Sequence, residues 1–275
     1  MSADNLEERH LDILGVRTRY HDVGEGEPLL LLHGAGPGAS GLSNYRRNIE
    51  ALAAGHRVLI LDLPGFGGTD NKLPEGGLFA AMGVFVRAFL EALGIRRVSV
   101  IGNSMGGGIA LEVALRAPGL VRCMVLMGGA GSLPTFTAMP TEGLQRMFGF
   151  YSGEGPTMQK LRAVLSLLVF DQSTITDALL EERFEAATRP DVVAEYIITK
   201  RPIEPLWRED LASLSHPTLL IWGREDRVIP LDASFLLLKQ IPNASLHVIP
   251  RCGHWVQWEK ADAFNALVLE FLSRN

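Results

Sequence analysis

The sequence has few of the features that direct a protein to export or to a membrane. Its 275 residues include only two cysteines, Cys123 and Cys252, too few for a disulfide framework, so we expect both to be thiols. The first residues, Met1–Glu8, are acidic and polar and lack the apolar segment of a secretory signal. No uninterrupted apolar run is long enough to cross a bilayer. These absences predict a soluble, cytoplasmic protein without a membrane partner.

Positive charge is also scarce. Lys and Arg number 26 against 31 Asp and Glu, and no basic stripe runs along the chain, which disfavours a nucleic-acid partner. No clustered ligand motif suggests a metal site. Apolar residues make up 47% of the chain, enough to bury the core of one domain or of a domain with an insertion.

A Gly-x-Ser-x-Gly motif, Gly102–Gly106, joins a predicted strand to a predicted helix. Arg97–Ile101 is short, β-branched and apolar, as in a buried strand, and Ile109–Arg116 predicts a helix that ends before Pro118. This context is that of a nucleophile elbow, which pushes the Ser104 hydroxyl out above the sheet. Because the motif also occurs by chance in ordinary turns, the rest of the sequence must show whether Ser104 is a nucleophile.

Strands alternating with helical patterns predict a mostly parallel, doubly wound α/β sheet. Further strands are predicted at Leu29–Leu32, Arg57–Asp62, Val121–Met127, Thr218–Trp222 and Ala244–Ile249, after a hairpin within His10–Asp22. Between the predicted strands Val121–Met127 and Thr218–Trp222, the sequence shows only helical periodicity. It is found in Met158–Phe170, Ala178–Ala187 and Val192–Ile198. We therefore expect a core of residues 1–132 and 209–275 and a helical cap of residues 133–208 over the strand ends, where such sheets bind ligands.

Three residues suited to nucleophilic catalysis follow successive predicted strands: Ser104, Asp226 and His254. A serine hydroxyl needs an imidazole to take its proton, and the imidazole needs a carboxylate to fix its tautomer. Their order along the chain is that of an α/β-hydrolase triad. Glu225 competes for the role of the acid, but Asp226 is favoured because it adjoins Arg227–Pro230.

Small residues dominate His33–Ser40, directly after a buried strand. Such a loop brings backbone amides close to a ligand and is expected to supply one donor of an oxyanion hole, although a merely flexible loop has the same composition. His33 adjoins the strand end, so we expect it to orient the loop rather than to act as a base.

Six motifs make the chain resemble the meta-cleavage product hydrolases, the carbon–carbon bond hydrolases of bacterial aromatic and steroid degradation. They are His33–Ala39, Ser43–Tyr45, Gly102–Gly107, Asp171–Ser173 with Arg183, Gly223–Arg227 and Cys252–Trp255. Ordinary esterases share the serine turn but not the combination of Asn103, Arg183 and Trp255. The resemblance extends from about His33 to the C-terminus. It implies an α/β-hydrolase fold with an eight-stranded, mostly parallel sheet and an inserted helical cap.

The resemblance implies cleavage of 2-hydroxy-6-oxohexa-2,4-dienoates between C5 and C6 to 2-hydroxypenta-2,4-dienoate and a carboxylic acid. It implies that Ser104, Asp226 and His254 are catalytic and that the amides of Ala35 and Met105 bind the C6 oxyanion. The side chains implied to hold the dienoate are Asn44, Asn103, Arg183 and Trp255. A small-molecule substrate, a homo-oligomer, and neither metal nor organic cofactor are further implications.

The chain departs from the family pattern near the C6 substituent. Val228 and Leu168 stand where biphenyl-pathway members carry phenylalanines, so we expect both to bind substrate and to admit a bulkier or differently shaped group. Ala35 replaces a glycine found in many members, which matters little if only its amide is used. The identity of the C6 group stays open.

Two other functions remain open on the sequence. An ordinary carboxylesterase with the same triad would turn over p-nitrophenyl esters far faster than a dienoate. A non-catalytic ligand-binding protein on this fold would leave Ser104 unreactive toward a fluorophosphonate. A haloalkane dehalogenase is disfavoured, because its nucleophile is an aspartate at the position of Ser104.

Overall fold

The computed structural model describes residues 6–129 and 134–275, which form one eight-stranded sheet flanked by helices. The strands are β1 (Arg9–Ile13), β2 (Val16–Val23), β3 (Glu27–Leu32), β4 (His56–Leu61), β5 (Val98–Asn103), β6 (Val121–Met127), β7 (Thr218–Gly223) and β8 (Ala244–Ile249). The helices are α1 (Gly41–Tyr45), α2 (Ile49–Ala53), α3 (Leu78–Ala92), α4 (Met105–Arg116), α5 (Glu142–Phe148), α6 (Met158–Leu168), α7 (Asp177–Ala187), α8 (Pro190–Ala194), α9 (Asp232–Gln240), α10 (Val256–Glu259) and α11 (Ala261–Arg274). Single 3-10 turns lie at Pro118–Leu120, Gln172–Thr174, Leu206–Arg208 and Leu211–Ser213.

The strand order is β1-β2-β4-β3-β5-β6-β7-β8, and β2 is antiparallel to both of its neighbours, while β3 to β8 run parallel. The register places Leu32 beside Gly102, and Asn103 beside Met127. The carboxyl ends of the central strands therefore lie together at one edge of the sheet. The predicted mostly parallel α/β architecture and the hairpin at its start are confirmed.

Both faces of the sheet are buried, which explains why its central strands are apolar throughout rather than alternating. On β3, Leu30 and Leu32 face the layer that contains α3 and α4. Leu29 and Leu31 face the layer that contains α1, α2 and α11. All four side chains are fully buried, so β3 forms the centre of the core and fixes where its following loop begins.

Helices α5 to α8 lie between β6 and β7, in the segment where the sequence showed only helical periodicity. The prediction of a helix over Val192–Ile198 is correct to Ala194, where α8 ends, and wrong beyond it. Pro190 begins that helix, as a first-turn residue needs no N–H partner. Residues Tyr196 to Ile198 are buried outside any helix. Among the described residues, no helix is long and apolar enough to cross a membrane.

His33 fixes the loop that follows β3, as the sequence predicted. Its ring is fully buried, with Nδ1 2.8 Å from the Gly34 carbonyl oxygen, and the Leu63 N–H donates to Nε2 at 3.0 Å. Because Nε2 accepts, the proton of the neutral ring lies on Nδ1 and is donated to Gly34. Burial lowers the pKa of His33 to about 4, so the ring keeps this tautomer at neutral pH.

This burial makes stability depend on pH in a defined window. Between about pH 6.5 and 4 the unfolded chain binds a proton at His33 and the native state does not, so stability falls as the pH falls. We expect the free energy of unfolding to fall more steeply in the wild type than in His33→Gln, by at most about 1.4 kcal/mol per pH unit. Urea unfolding from pH 7 to 5 measures both slopes. The exposed His247→Gln is the matched control, and equal slopes in wild type and His33→Gln would refute the assignment.

Candidate active site

Ser104 lies on the sharp turn between β5 and α4. Its backbone has φ 54° and ψ −118°, a conformation that costs a residue other than glycine energy, and its N–H donates to the Met127 carbonyl at 2.8 Å. Close packing sustains the turn, since a Cβ on Gly102 would lie 2.4 Å from the Gly106 oxygen. This arrangement has the geometry of a nucleophile elbow, with Ser104 at the N-terminus of α4.

Asp226, rather than Glu225, is the acid that contacts His254. Its Oδ2 lies 2.7 Å from His254 Nδ1, while Oδ1 accepts the N–H groups of Val228 at 2.8 Å and Ile229 at 3.0 Å. Both members of the pair have at most 2% of the side chain exposed. Glu225 instead accepts the N–H of Cys252 at 3.0 Å. The buried carboxylate is therefore placed to fix the tautomer of His254 and to stabilise its protonated form.

Three further features hold the loop that carries His254. Gly128, with φ 49°, lies so close to the imidazole that a Cβ there would be 2.6 Å from the ring. The Glu259 carboxylate accepts the N–H of Gly253 at 2.8 Å, and the Trp255 N–H donates to the Leu168 carbonyl at 2.9 Å. Glu259 was not predicted from the sequence, where its only local signal is an acidic residue five positions after the histidine.

A small polar cavity borders Ser104 and His254. It is lined by Gly34, Ala35, Gly36, Ala39, Asn44, Asn103, Ser104, Met147, Leu168, Arg183, His254 and Trp255. Its volume is about 10 Å³, room for about one water molecule. Three buried atoms in its lining have no hydrogen-bond partner among the described residues: Asn44 Oδ1, Asn103 Oδ1 and Arg183 Nη1. Unsatisfied buried polar atoms grouped in this way indicate a site for a polar ligand.

Arg183, on α7, is the charged group of this cavity and is fully buried. Its Nε and Nη2 donate to the Pro37 carbonyl at 3.0 and 2.8 Å, and its Cζ lies 4.8 Å from the ring centroid of Trp255. Burial lowers the pKa of Arg183 to about 10, so the side chain remains a cation at neutral pH. No carboxylate in the described part of the chain forms a salt bridge with it. A buried cation in this state favours an anionic ligand.

A larger, apolar cavity of about 230 Å³ lies on the other side of Ser104. It is lined by Ala35, Leu78, Phe79, Ser104, Met105, Gly129, Thr135, Met139, Leu144, Met147, Phe148, Ile198, Ile203, Ile229 and Ala233. None of these described residues is ionisable, and the adjoining sequence 130–133, Ala-Gly-Ser-Leu, contains no ionisable residue either. The two cavities share Ala35, Ser104 and Met147, so the serine stands at their junction.

The structure brings most of the sequence-predicted site residues to these cavities. Leu168 lines the polar cavity and is absent from the described lining of the apolar one. Val228 is not among the described residues that line either cavity. Its side chain packs against Gly143, and its N–H donates to Asp226. The structure therefore does not support Val228 as a substrate contact, and it does not place Leu168 in the apolar cavity.

Comparisons with known proteins identify the family of the chain. A sequence model described as the alpha/beta hydrolase family matches residues 29–267. A 2-hydroxy-6-oxononadienedioate/2-hydroxy-6-oxononatrienedioate hydrolase of Burkholderia vietnamiensis is 42% identical over 266 residues, covering 94% of this chain and 92% of the relative. A 2-hydroxy-6-oxo-6-phenylhexa-2,4-dienoate hydrolase of Burkholderia cepacia is 42% identical, covering 94% of this chain and 91% of the relative.

Solved structures give the same result. A meta-cleavage product hydrolase from Pseudomonas fluorescens IP01, complexed with acetates, matches with a TM-score of 0.88 and 38% identity, covering 98% of both chains. The 2-hydroxy-6-oxo-6-phenylhexa-2,4-dienoate hydrolase from Rhodococcus sp. strain RHA1 matches with a TM-score of 0.85 and 29% identity, covering 98% of this chain and 99% of its own. The chain thus belongs to the alpha/beta hydrolase family and, within it, to the meta-cleavage product hydrolases, which hydrolyse carbon–carbon bonds.

Proposed function

We propose that this enzyme hydrolyses the C5–C6 bond of 2-hydroxy-6-oxohexa-2,4-dienoates that carry an uncharged, apolar group on C6. The observation that carries the proposal is the position of Ser104 between a cavity with a buried guanidinium and a cavity without an ionisable described residue. Such a substrate has a carboxylate at one end, an apolar group at the other and the C6 carbonyl between them. Its two ends match the two cavities, and its carbonyl then lies at the serine.

The leaving group determines the order of events. Direct cleavage of the dienol would leave a vinyl carbanion at C5 with no delocalisation. Transfer of the 2-hydroxyl proton to C5 gives a 2,6-dioxo form, whose later C5 carbanion spreads its charge to the C2 oxygen. His254 is placed to carry this proton, and Arg183 with Asn103 would stabilise the carboxylate and the C2 oxygen.

Ser104 then attacks the C6 carbonyl while His254 takes the hydroxyl proton. The amides of Ala35 and Met105 receive the oxyanion, and Asp226 stabilises the imidazolium. Collapse of the tetrahedral adduct breaks C5–C6, and the His254 imidazolium gives its proton to the dienolate, which leaves as 2-hydroxypenta-2,4-dienoate. Water, deprotonated by His254, hydrolyses the acyl-serine to the carboxylic acid and restores the hydroxyl of Ser104.

We also propose that residues 133–208 form a cap that moves away from the core to admit substrate. A polar cavity of about 10 Å³ is too small for a pentadienoate, and helices of this segment supply Arg183, Leu168 and Met147 to its wall.

A cytoplasmic location is supported by Cys123 and Cys252, which are buried free thiols. A homo-oligomer is supported by the family resemblance.

Arg183→Gln tests the carboxylate site. If Arg183 binds the dienoate carboxylate, kcat/KM for the dienoate should fall about tenfold to hundredfold, the value of a charge-assisted hydrogen bond. A neutral p-nitrophenyl ester should lose much less, because it lacks the carboxylate. Arg162→Gln, which removes an exposed arginine of α6, is the control. Equal losses with both substrates would show that Arg183 acts only through its contact with Pro37.

The apolar cavity predicts which C6 groups are accepted. A carboxylate brought there would be buried without a described cationic partner, so the nonadienedioate should have a kcat/KM about a hundredfold below that of the 6-phenyl or 6-alkyl dienoates. A panel that differs only at C6, followed by loss of the dienoate absorbance, measures the ratio. Ile203 lies at the half-exposed rim of the cavity, and Ile203→Arg should reduce this ratio of kcat/KM values, because it brings a cation near the cavity. A wild-type preference for the nonadienedioate would overturn the proposed substrate class.

A further inference from the structure

A tyrosine that follows α8 holds the loop that follows β3. The Tyr196 hydroxyl donates to the Ala35 carbonyl oxygen, and only 5% of this side chain is exposed. Its ring packs against Phe66 and Tyr151, with centroids 6.4 and 4.5 Å away. Burial raises the pKa of Tyr196 well above its usual value, so the hydroxyl remains protonated and acts as a donor. Tyr196 takes no part in the catalytic steps proposed for this enzyme.

The hydrogen bond between Tyr196 and the Ala35 carbonyl affects the Ala35 N–H, which is the amide expected to stabilise the oxyanion. The Ala35 N–H belongs to the same planar unit as the Gly34 carbonyl, which accepts from His33. In a trans peptide these two groups point in opposite directions, so His33 aims the Ala35 N–H away from itself. Tyr196 holds the next peptide unit through the Ala35 carbonyl. Together, His33 and Tyr196 restrain both backbone torsions of Ala35. His33 acts from the core, and Tyr196 acts from the segment between β6 and β7 that carries α5 to α8, the inserted helices.

We propose that Tyr196 is a positioning residue for the oxyanion hole, and that it holds the Ala35 amide in place only while the inserted helices are closed on the core. The inference rests on the proposed function, because it takes the Ala35 N–H as an oxyanion donor. Its consequence is that closure over the substrate also completes the catalytic site. Preorganised donors contribute to the transition state through their placement, so a loosened loop reduces the rate of the chemical step.

Tyr196→Phe removes the hydroxyl and keeps the ring. We expect kcat to fall about tenfold to hundredfold for both a 6-phenyl dienoate and a neutral p-nitrophenyl ester, with KM changed less than about threefold. Affinity for a trifluoromethyl ketone, which forms a tetrahedral adduct with Ser104, should fall by a similar factor. Affinity for the product, 2-hydroxypenta-2,4-dienoate, should stay within about threefold of wild type.

Tyr151→Phe is the matched control, because this neighbouring hydroxyl donates to Ala187 within the inserted helices, at 3.1 Å. It should leave both kcat values within about threefold of wild type, and circular dichroism should show both variants folded. Wild-type kcat in Tyr196→Phe would overturn the proposal. A loss confined to the dienoate would also overturn it, by placing the effect at the carboxylate site. If wild type hydrolyses the ester but not the dienoate, the proposed function fails while the ester still tests Tyr196.

Discussion

The burial of the Arg183 cation is the constraint on which the rest of the site depends. Removing a guanidinium from water costs several kcal/mol, and the structure offsets this with two hydrogen bonds to Pro37 and with the face of Trp255. Pro37 lies in the loop after β3, and Trp255 lies beside His254 after β8. One side chain of α7 thereby contacts both loops that flank Ser104, while its Nη1 is available to an anion.

The inserted helices contact the loop of the catalytic base as well. Glu259 accepts the N–H of Gly253 at 2.8 Å and also the N–H groups of Phe170 and Asp171, which follow α6. The Leu168 carbonyl accepts the N–H of Trp255 at 2.9 Å. The backbone on both sides of the histidine is therefore tied to residues 168–171. In this account, the position of the inserted helices determines both the space for substrate and the placement of the catalytic groups.

Local patterns predicted the strands and the serine turn, because a parallel strand buried on both faces must be apolar throughout and a sharp turn at Ser104 needs small neighbours. The preference for Asp226 over Glu225 also came from local spacing, and the contact with His254 agrees with it. Contacts between distant segments were not predictable in this way. Tyr196 lies in the non-helical part of a stretch of helical periodicity, and Val228 packs against Gly143, because the packing of the inserted helices decides both.

We infer that Ser104 cleaves a carbon–carbon bond in a dienoate that has first been ketonised. The most direct measurement mixes wild type and Ser104→Ala with 2-hydroxy-6-oxo-6-phenylhexa-2,4-dienoate in deuterium oxide, by stopped-flow, with analysis of the products. We expect wild type to consume the dienoate and to place deuterium at C5, whereas Ser104→Ala should perturb the dienoate spectrum without cleavage. Cleavage by Ser104→Ala at the wild-type rate, or a dienoate spectrum that this variant leaves unperturbed, would contradict this order of events.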